Sequence, residues 1–176
     1  IPPIPEDVPL LLDNLFKYMN DEFIDPLFVN LAISHSQFET IHAYRDGNGR
    51  LGRALIPIQL AKLTDDTPIL FLSEVIELYK PSYHKFLNES RKGNMLGFIK
   101  FFLHCIIEQC NNYISKINMI KNIYFRDMDK IKTLNSNAVY RIMPAMMHQI
   151  VFTKKEIEEE SGVSRNTVST LIDQLI

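Results

Sequence analysis

Between Ile41 and Arg53 the chain reads IHAYRDGNGRLGR, gathering a titratable base, a carboxylate, a glycine-rich turn and two guanidinium groups in one short stretch. His42, whose type titrates near pH 6.5, is the candidate general base at about neutral pH. Asp46 is hard and anionic, suited to hold Mg²⁺ against a polyphosphate. A helix that starts just after the Gly47-Asn48-Gly49 turn would present free backbone N–H groups and the positive end of its dipole, a ready site for phosphate. Gly47 and Gly49 let the backbone come close to a ligand, and Asn48 can point an amide into the same cavity. Arg50 and Arg53 share one helix face and can grip further phosphate oxygens bidentately. Base, metal ligand and anion cradle together suit transfer of a phosphate-containing group from a nucleotide. The pattern is neither a Walker A loop nor a dinucleotide fingerprint, since GxxxxGK[ST] is missing and no strand precedes the glycines.

These groups must be positioned by helices. Phe28, Leu31, His35, Phe38 and His42 recur at spacings of three and four, predicting a helix with Asp25 as N-cap and Pro26 in its first position. His42 would end its core-facing side, and His35 would be structural. RDGNG breaks that helix, and a second runs from Arg50 to Lys62, bent at Pro57. After the extended opening IPPIPEDVP, Val8 to Asn20 reads as a helix with Pro9 in its first turn. Ser73 can cap a helix that Pro81 interrupts, and Met95 to about Leu134 is helical almost throughout. Phe98, Phe101, Phe102 and Cys105 form a core stripe. Strand signals are nearly absent, so the predicted fold class is all-α.

The end of the chain differs in kind. In TKKEIEEESGVSRNTVSTLIDQLI, Thr153 and Glu156 make a capping box, Gly162 a turn and Ser164 a second cap. Val168, Leu171, Ile172 and Leu175 form the buried stripe of the last helix. Two short helices joined by a Gly-containing turn are the helix-turn-helix pattern. The expected division is a helical core over 1–128 and a helix-turn-helix, winged-helix-like module over 129–176, still in pattern at Ile176 and so expected to continue. Ser164, Arg165, Asn166 and Thr167 could reach a DNA major groove from the start of the second helix. Against this, residues 137–176 hold four basic and five acidic residues, a net charge of −1, whereas phosphate contacts supply much of the affinity of DNA-binding modules. The other reading is an interaction or regulatory surface.

The whole chain of 176 residues has 46% apolar and 23% charged residues and a formal charge of −2, which gives no global basic field. Cys105 and Cys110 suggest neither a disulfide nor a metal pair, which makes a reducing cytoplasm the expectation. His84, His104 and His148 have no metal-ligand spacing to one another. The most apolar run, FIKFFLHCII, contains Lys100 and His104 and is too short to span a bilayer.

HAYRDGNGRLGR resembles, over its whole length, the signature HxFx(D/E)GN(G/K)RxxR of the Fic family. SQFETIH looks like the helix leading into that motif, IPPIPEDVP like the segment after the target-docking flap, and LFLSEVIELYKPSYHKFL and GNMLGFIKFFL like later core helices. The resemblance covers roughly residues 1 to 115 and implies a Fic-type helical core. Ala43 stands where Pro is common and Tyr44 where Phe is usual; Tyr44 can still anchor the loop in the core if its hydroxyl finds a partner.

The resemblance implies a bacterial-type protein adenylyltransferase whose Gly-Asn-Gly loop fits members that transfer AMP rather than Doc-type kinases. In it His42 deprotonates a Ser, Thr or Tyr hydroxyl of a target protein, and that oxygen attacks the α-phosphate of ATP. Asp46 holds Mg²⁺, Gly47, Asn48 and Gly49 form an anion hole, and Arg50 and Arg53 hold the β- and γ-phosphates. Tyr83 sits where the family often places an aromatic near the adenine. Many members carry an inhibitory helix, (S/T)xxxE(G/N), whose Glu pairs with the second motif Arg. SEVIEL from Ser73 matches except at Leu78, so the inhibitor is expected upstream of Ile1. ATP and a target protein, or the enzyme itself, are the expected partners, with DNA a further candidate through 153–176, a homodimer a further expectation and no membrane. Two other readings stay open: a nucleotide-sensing DNA-binding transcriptional regulator, and a Fic enzyme that moves another phosphate-containing group or removes AMP.

Overall fold

A computed structural model describes residues 2–20, 25–132, 136–149 and 151–175, and the described residues contain helices and no strand. They fall into two compact units, Ile1–Tyr113 and Ile114–Ile176.

In the first unit, α1 (Val8–Met19) packs on α2 (Leu27–Ile41), and α2 packs on α3 (Asn48–Thr64). Pro9 lies in the first turn of α1, where its missing N–H is no loss. Leu15 and Met19 meet Phe38 and Ile41 of α2, with Ala43 and Leu55 against them. The expected cap of α2 is not formed. Pro26 occupies the cap position, while the Asp25 carboxylate accepts the Tyr18 hydroxyl at 2.7 Å and ties the end of α1 to the start of α2. Phe28, expected in the buried stripe, is exposed.

Helix α2 is central rather than one-sided, and it buries Asn30, Ser34, His35, Ser36 and Glu39. Buried polar groups need partners, and most of these have them. Gln59 of α3 donates to Asn30 Oδ1 at 2.6 Å and to Ser34 Oγ at 3.1 Å. Ser36 and Ser90 share a hydrogen bond at 2.9 Å. Pro57 lies buried inside α3 and withholds the N–H that the Arg53 carbonyl would otherwise accept.

Helices α4 (Ser73–Leu78) and α5 (Lys80–Ser90) follow, with Pro81 in the first turn of α5. Ser73 does not cap α4, whose cap position is Leu72. Helix α6 (Met95–Lys132) is one piece of 38 residues; the expected end near Leu134 lies outside the described residues. Asn94 Oδ1 accepts the Gly97 N–H at 3.1 Å, which caps its start. Phe98, Phe102 and Cys105 are fully buried with Leu31, Leu72 and Val75.

The second unit holds the end of α6, then α7 (Val139–His148), α8 (Lys154–Ser161) and α9 (Arg165–Leu175). Its core is Val139, Ile142, Met143, Ile157, Val168, Leu171 and Ile172, with Tyr124 and Met128 packed against it. That packing draws the end of α6 into the second unit and puts the division at Tyr113/Ile114, earlier than the 128/129 read from sequence. The capping box is present: the Glu156 carboxylate accepts the Thr153 N–H at 2.6 Å, and Thr153 Oγ1 accepts the Glu156 N–H at 3.3 Å. The side chain of Leu175 lies outside the described residues.

Candidate active site

The α2–α3 connection carries the candidate chemistry. Helix α2 ends one residue before His42, which closes it in the left-handed conformation at φ 52° and ψ 49° while its N–H still donates to the Phe38 carbonyl at 3.1 Å. A left-handed non-glycine residue costs about 1 kcal/mol or more. The turn swings His42 off the core-facing side of α2, and it is exposed. The 3.6-residue period had placed it at the end of the buried face, and the reversal comes from the backbone at this one residue.

The loop is held by Asn48. Its Oδ1 accepts the Tyr44 N–H at 3.0 Å and its Nδ2 donates to the Tyr44 carbonyl at 2.6 Å. Asn48 is only 3% exposed, so its amide staples the loop instead of pointing into a ligand cavity. Tyr44 is 51% exposed and does not anchor the loop in the core. Ala43 does part of that work, packed against the Leu15, Met19, Phe38 and Ile41 cluster.

Gly47 precedes α3 at φ 85° and ψ 0°, a conformation that glycine takes without steric cost. No side chain caps α3, and its first backbone bond runs from the Leu51 N–H to the Gly47 carbonyl. The N–H groups of Asn48, Gly49 and Arg50 therefore have no partner within the helix, the usual basis of an anion site. Asp46 Oδ1 accepts the Gly47 N–H at 2.7 Å, and its Oδ2 meets Arg50 Nη2 at 3.2 Å. Both side chains are open to solvent, so this pair adds little stability and leaves the carboxylate and the guanidinium accessible.

Arg53 folds its guanidinium over Gly49: a Cβ there would lie 3.1 Å from Arg53 Nη1. Thr40, His42, Arg91 and Pro2 line a cavity of about 370 Å³. Arg91 donates to the Glu39 carbonyl at 2.8 Å, to Asn88 Oδ1 at 3.1 Å and to Thr40 Oγ1 at 3.4 Å, and so closes the last turn of α2 with a cation at its negative end.

Two residues matter here without having been singled out in the sequence. Arg91 lies far along the chain and no motif marks it. Glu39, three before His42, is 6% exposed, and its Oε1 is buried with no hydrogen-bond partner. Burial pushes its carboxyl up, opposed by the nearby charges of Arg53, His42 and Arg91. Only a search for titratable residues on the buried face of α2 would have found it.

Tyr83 is placed differently from the adenine contact that the resemblance implies. It is 4% exposed, among Phe98 and Phe101, and its ring offers no open face. Its hydroxyl lies 3.0 Å from His35 Nε2, and His35 Nδ1 lies 3.3 Å from the Gly52 carbonyl. A carbonyl only accepts, so Nδ1 carries the proton and Nε2 accepts from Tyr83. His35 is fully buried and its pKa is pushed down to about 4 by that burial, so it stays neutral and structural. Glu77 of the SEVIEL stretch pairs with Lys80 at 2.8 Å, on a helix whose Val75 and Ile76 are core.

In the second unit, Ser164 Oγ and Thr167 Oγ1 share a hydrogen bond at 3.0 Å, and the Arg165 N–H donates to Glu158 Oε1 at 3.2 Å. A carboxylate thus sits at the start of α9, where a DNA phosphate would have to approach.

Residues 1–60, which include the whole His42–Arg53 stretch, match the Fic/DOC family. Protein adenylyltransferase Fic of Drosophila erecta is 29% identical over 116 residues, covering 65% of this chain and 22% of that protein. Its namesake in Nematostella vectensis is 27% identical over 121 residues, with 65% and 26% covered. The chain therefore spans about a quarter of the length of these curated relatives. A crystal structure of a Fic family protein from Desulfovibrio desulfuricans G20 shares the fold, with a TM-score of 0.62 and 20% identity, over 98% of this chain and 49% of that one. No helix among the described residues is long and apolar enough to cross a membrane.

Proposed function

From the Fic/DOC match over residues 1–60, we propose that this chain is a protein adenylyltransferase, moving AMP from ATP to a Ser, Thr or Tyr hydroxyl of a target protein. The observation that carries the reading is the left-handed His42, an exposed imidazole at the end of α2, six residues ahead of the uncapped first turn of α3. His42 takes the proton of the target hydroxyl. The oxygen bonds to the α-phosphorus, the bond from that phosphorus to the bridging oxygen breaks, and pyrophosphate leaves. The N–H groups of Asn48, Gly49 and Arg50 hold the charge that develops on the transferred phosphate, while the Asn48 side chain keeps the loop in register through Tyr44. Arg50 and Arg53 grip the β- and γ-phosphates, and the cavity beside His42, Thr40 and Arg91 takes the rest of the nucleotide.

Mg²⁺ fits the oxygen set. Among the described residues no cluster of three or more metal-ligating side chains forms a cage, and Asp46 presents a single open carboxylate beside the phosphate cradle. Mg²⁺ is commonly held by one or two carboxylates together with substrate phosphates. When bound it would neutralise phosphate charge and favour departure of pyrophosphate.

The test is incubation with ATP labelled at the α-phosphate. The proposal expects label on the protein itself or on an added target, reduced by about 10²–10⁴-fold in His42→Ala. Equal labelling of both proteins would remove His42 from the role of base.

A further inference from the structure

We propose that Glu39 is a positioning residue for the outer phosphates: its buried carboxylate, lodged under the first turn of α3, holds the Arg53 guanidinium against Gly49. The inference rests on the nucleotide-transfer reading for what Arg53 grips.

The two groups converge on one point. A Cβ placed on Gly49 would lie 3.1 Å from Arg53 Nη1 and 3.9 Å from Glu39 Oε1. The carboxylate reaches that gap because Gly52 has no side chain; a Cβ there would lie 2.4 Å from the same Oε1. Buried and without a hydrogen-bond partner on Oε1, the carboxylate depends on neighbouring charge to offset its lost hydration. Of the cations acting on it, Arg53 exerts the largest effect. Arg91 is already committed to Glu39 O, Asn88 and Thr40, and His42 faces the candidate reaction. Arg53, by contrast, donates no hydrogen bond among the described residues, and an unanchored guanidinium has several rotatable bonds to order before it can meet a phosphate. A fixed anion in a poorly hydrated gap narrows that search, because attraction there is weakly screened. Without such an anion the clamp would be ordered at the expense of nucleotide affinity.

Binding measured by calorimetry on the full chain separates this role from simple packing. ATP and AMP are each titrated into wild type, Glu39→Gln, Arg53→Ala and the double variant. Glu39→Gln keeps the shape and removes the charge, so ATP affinity should fall about tenfold and AMP affinity stay level. Glu39→Asp, with the charge on a shorter arm, should keep part of the preference for ATP. Arg53→Ala should lower ATP affinity further, and adding Glu39→Gln to it should change nothing more, since Glu39 acts through Arg53. Equal losses for ATP and AMP, independent losses that multiply in the double variant, or no loss in Glu39→Gln would each overturn the inference. If ATP binds and Arg53→Ala weakens it while Glu39→Gln does not, only this inference falls. Failure of wild type to bind ATP would overturn the proposed function and take this inference with it.

Discussion

The Asn48 side chain closes on the Tyr44 backbone from both ends, accepting its N–H at 3.0 Å and donating to its carbonyl at 2.6 Å. The residue in the middle of the glycine turn thereby fixes the distance between the end of α2 and the start of α3, and with it the relation of His42 to the free N–H groups.

Asn48→Ala should therefore cost stability and activity together. Loss of the two hydrogen bonds is worth about 1–2 kcal/mol. Transfer should fall by more than about tenfold, because small misplacements of reacting groups are expensive. Asn48→Asp, which can accept from Tyr44 but not donate to it, should lie between. Thermal melts beside label-transfer rates check both.

The backbone of His42 gives a prediction of opposite sign for stability. Its left-handed conformation suits glycine better than any side chain. His42→Gly should be more stable than His42→Ala by about 1 kcal/mol, while both are inactive. Denaturation of the two variants side by side measures the difference. Equal stabilities would mean that the turn is not strained.

His35 makes stability depend on acid. Its folded pKa, about 4, lies below the ordinary value of about 6.5, so the unfolded chain takes up the proton first. The contribution of neutral, buried His35 is fully present above about pH 6.5 and is lost as pH falls toward about 4, some 3 kcal/mol in all. His35→Gln should be less stable near neutral pH but flatter through this window, and the difference between the two denaturation profiles isolates His35 from other titrating groups.

Gly52 should tolerate no side chain. In Gly52→Ala the new methyl would overlap Glu39 Oε1 and press on Phe38 Cδ1, at a cost of about 1–3 kcal/mol. Glu39→Ala in the same chain should recover part of that loss. A full loss in the double variant would show that the carboxylate is not what fills the gap.

Much of this was legible in the sequence. The helices around Phe38 and Phe98 follow from periodicity, the one after Gly49 from the break at RDGNG, and Thr153 with Glu156 marks a capping box that forms. The motif residues from His42 to Arg53 are brought to one end of α3. The rest was hidden for physical reasons. A single residue with positive φ cannot be read from spacing, and spacing alone puts His42 on the buried side of α2. Asn48 has an amide that serves a loop or a ligand equally well, and only the geometry shows it engaged with Tyr44. Tyr83 and His35 are far apart in the chain, so their hydrogen bond gave no local signal, and neither did the approach of Glu39 to Gly52.

The central claim is that His42 drives transfer of AMP, and intact-mass measurement after incubation with ATP and Mg²⁺ tests it most directly. A gain the size of AMP on wild type, or on an added target, that vanishes in His42→Ala is the predicted result. A gain the size of a phosphate, or an AMP-sized gain that survives in His42→Ala, would contradict the account.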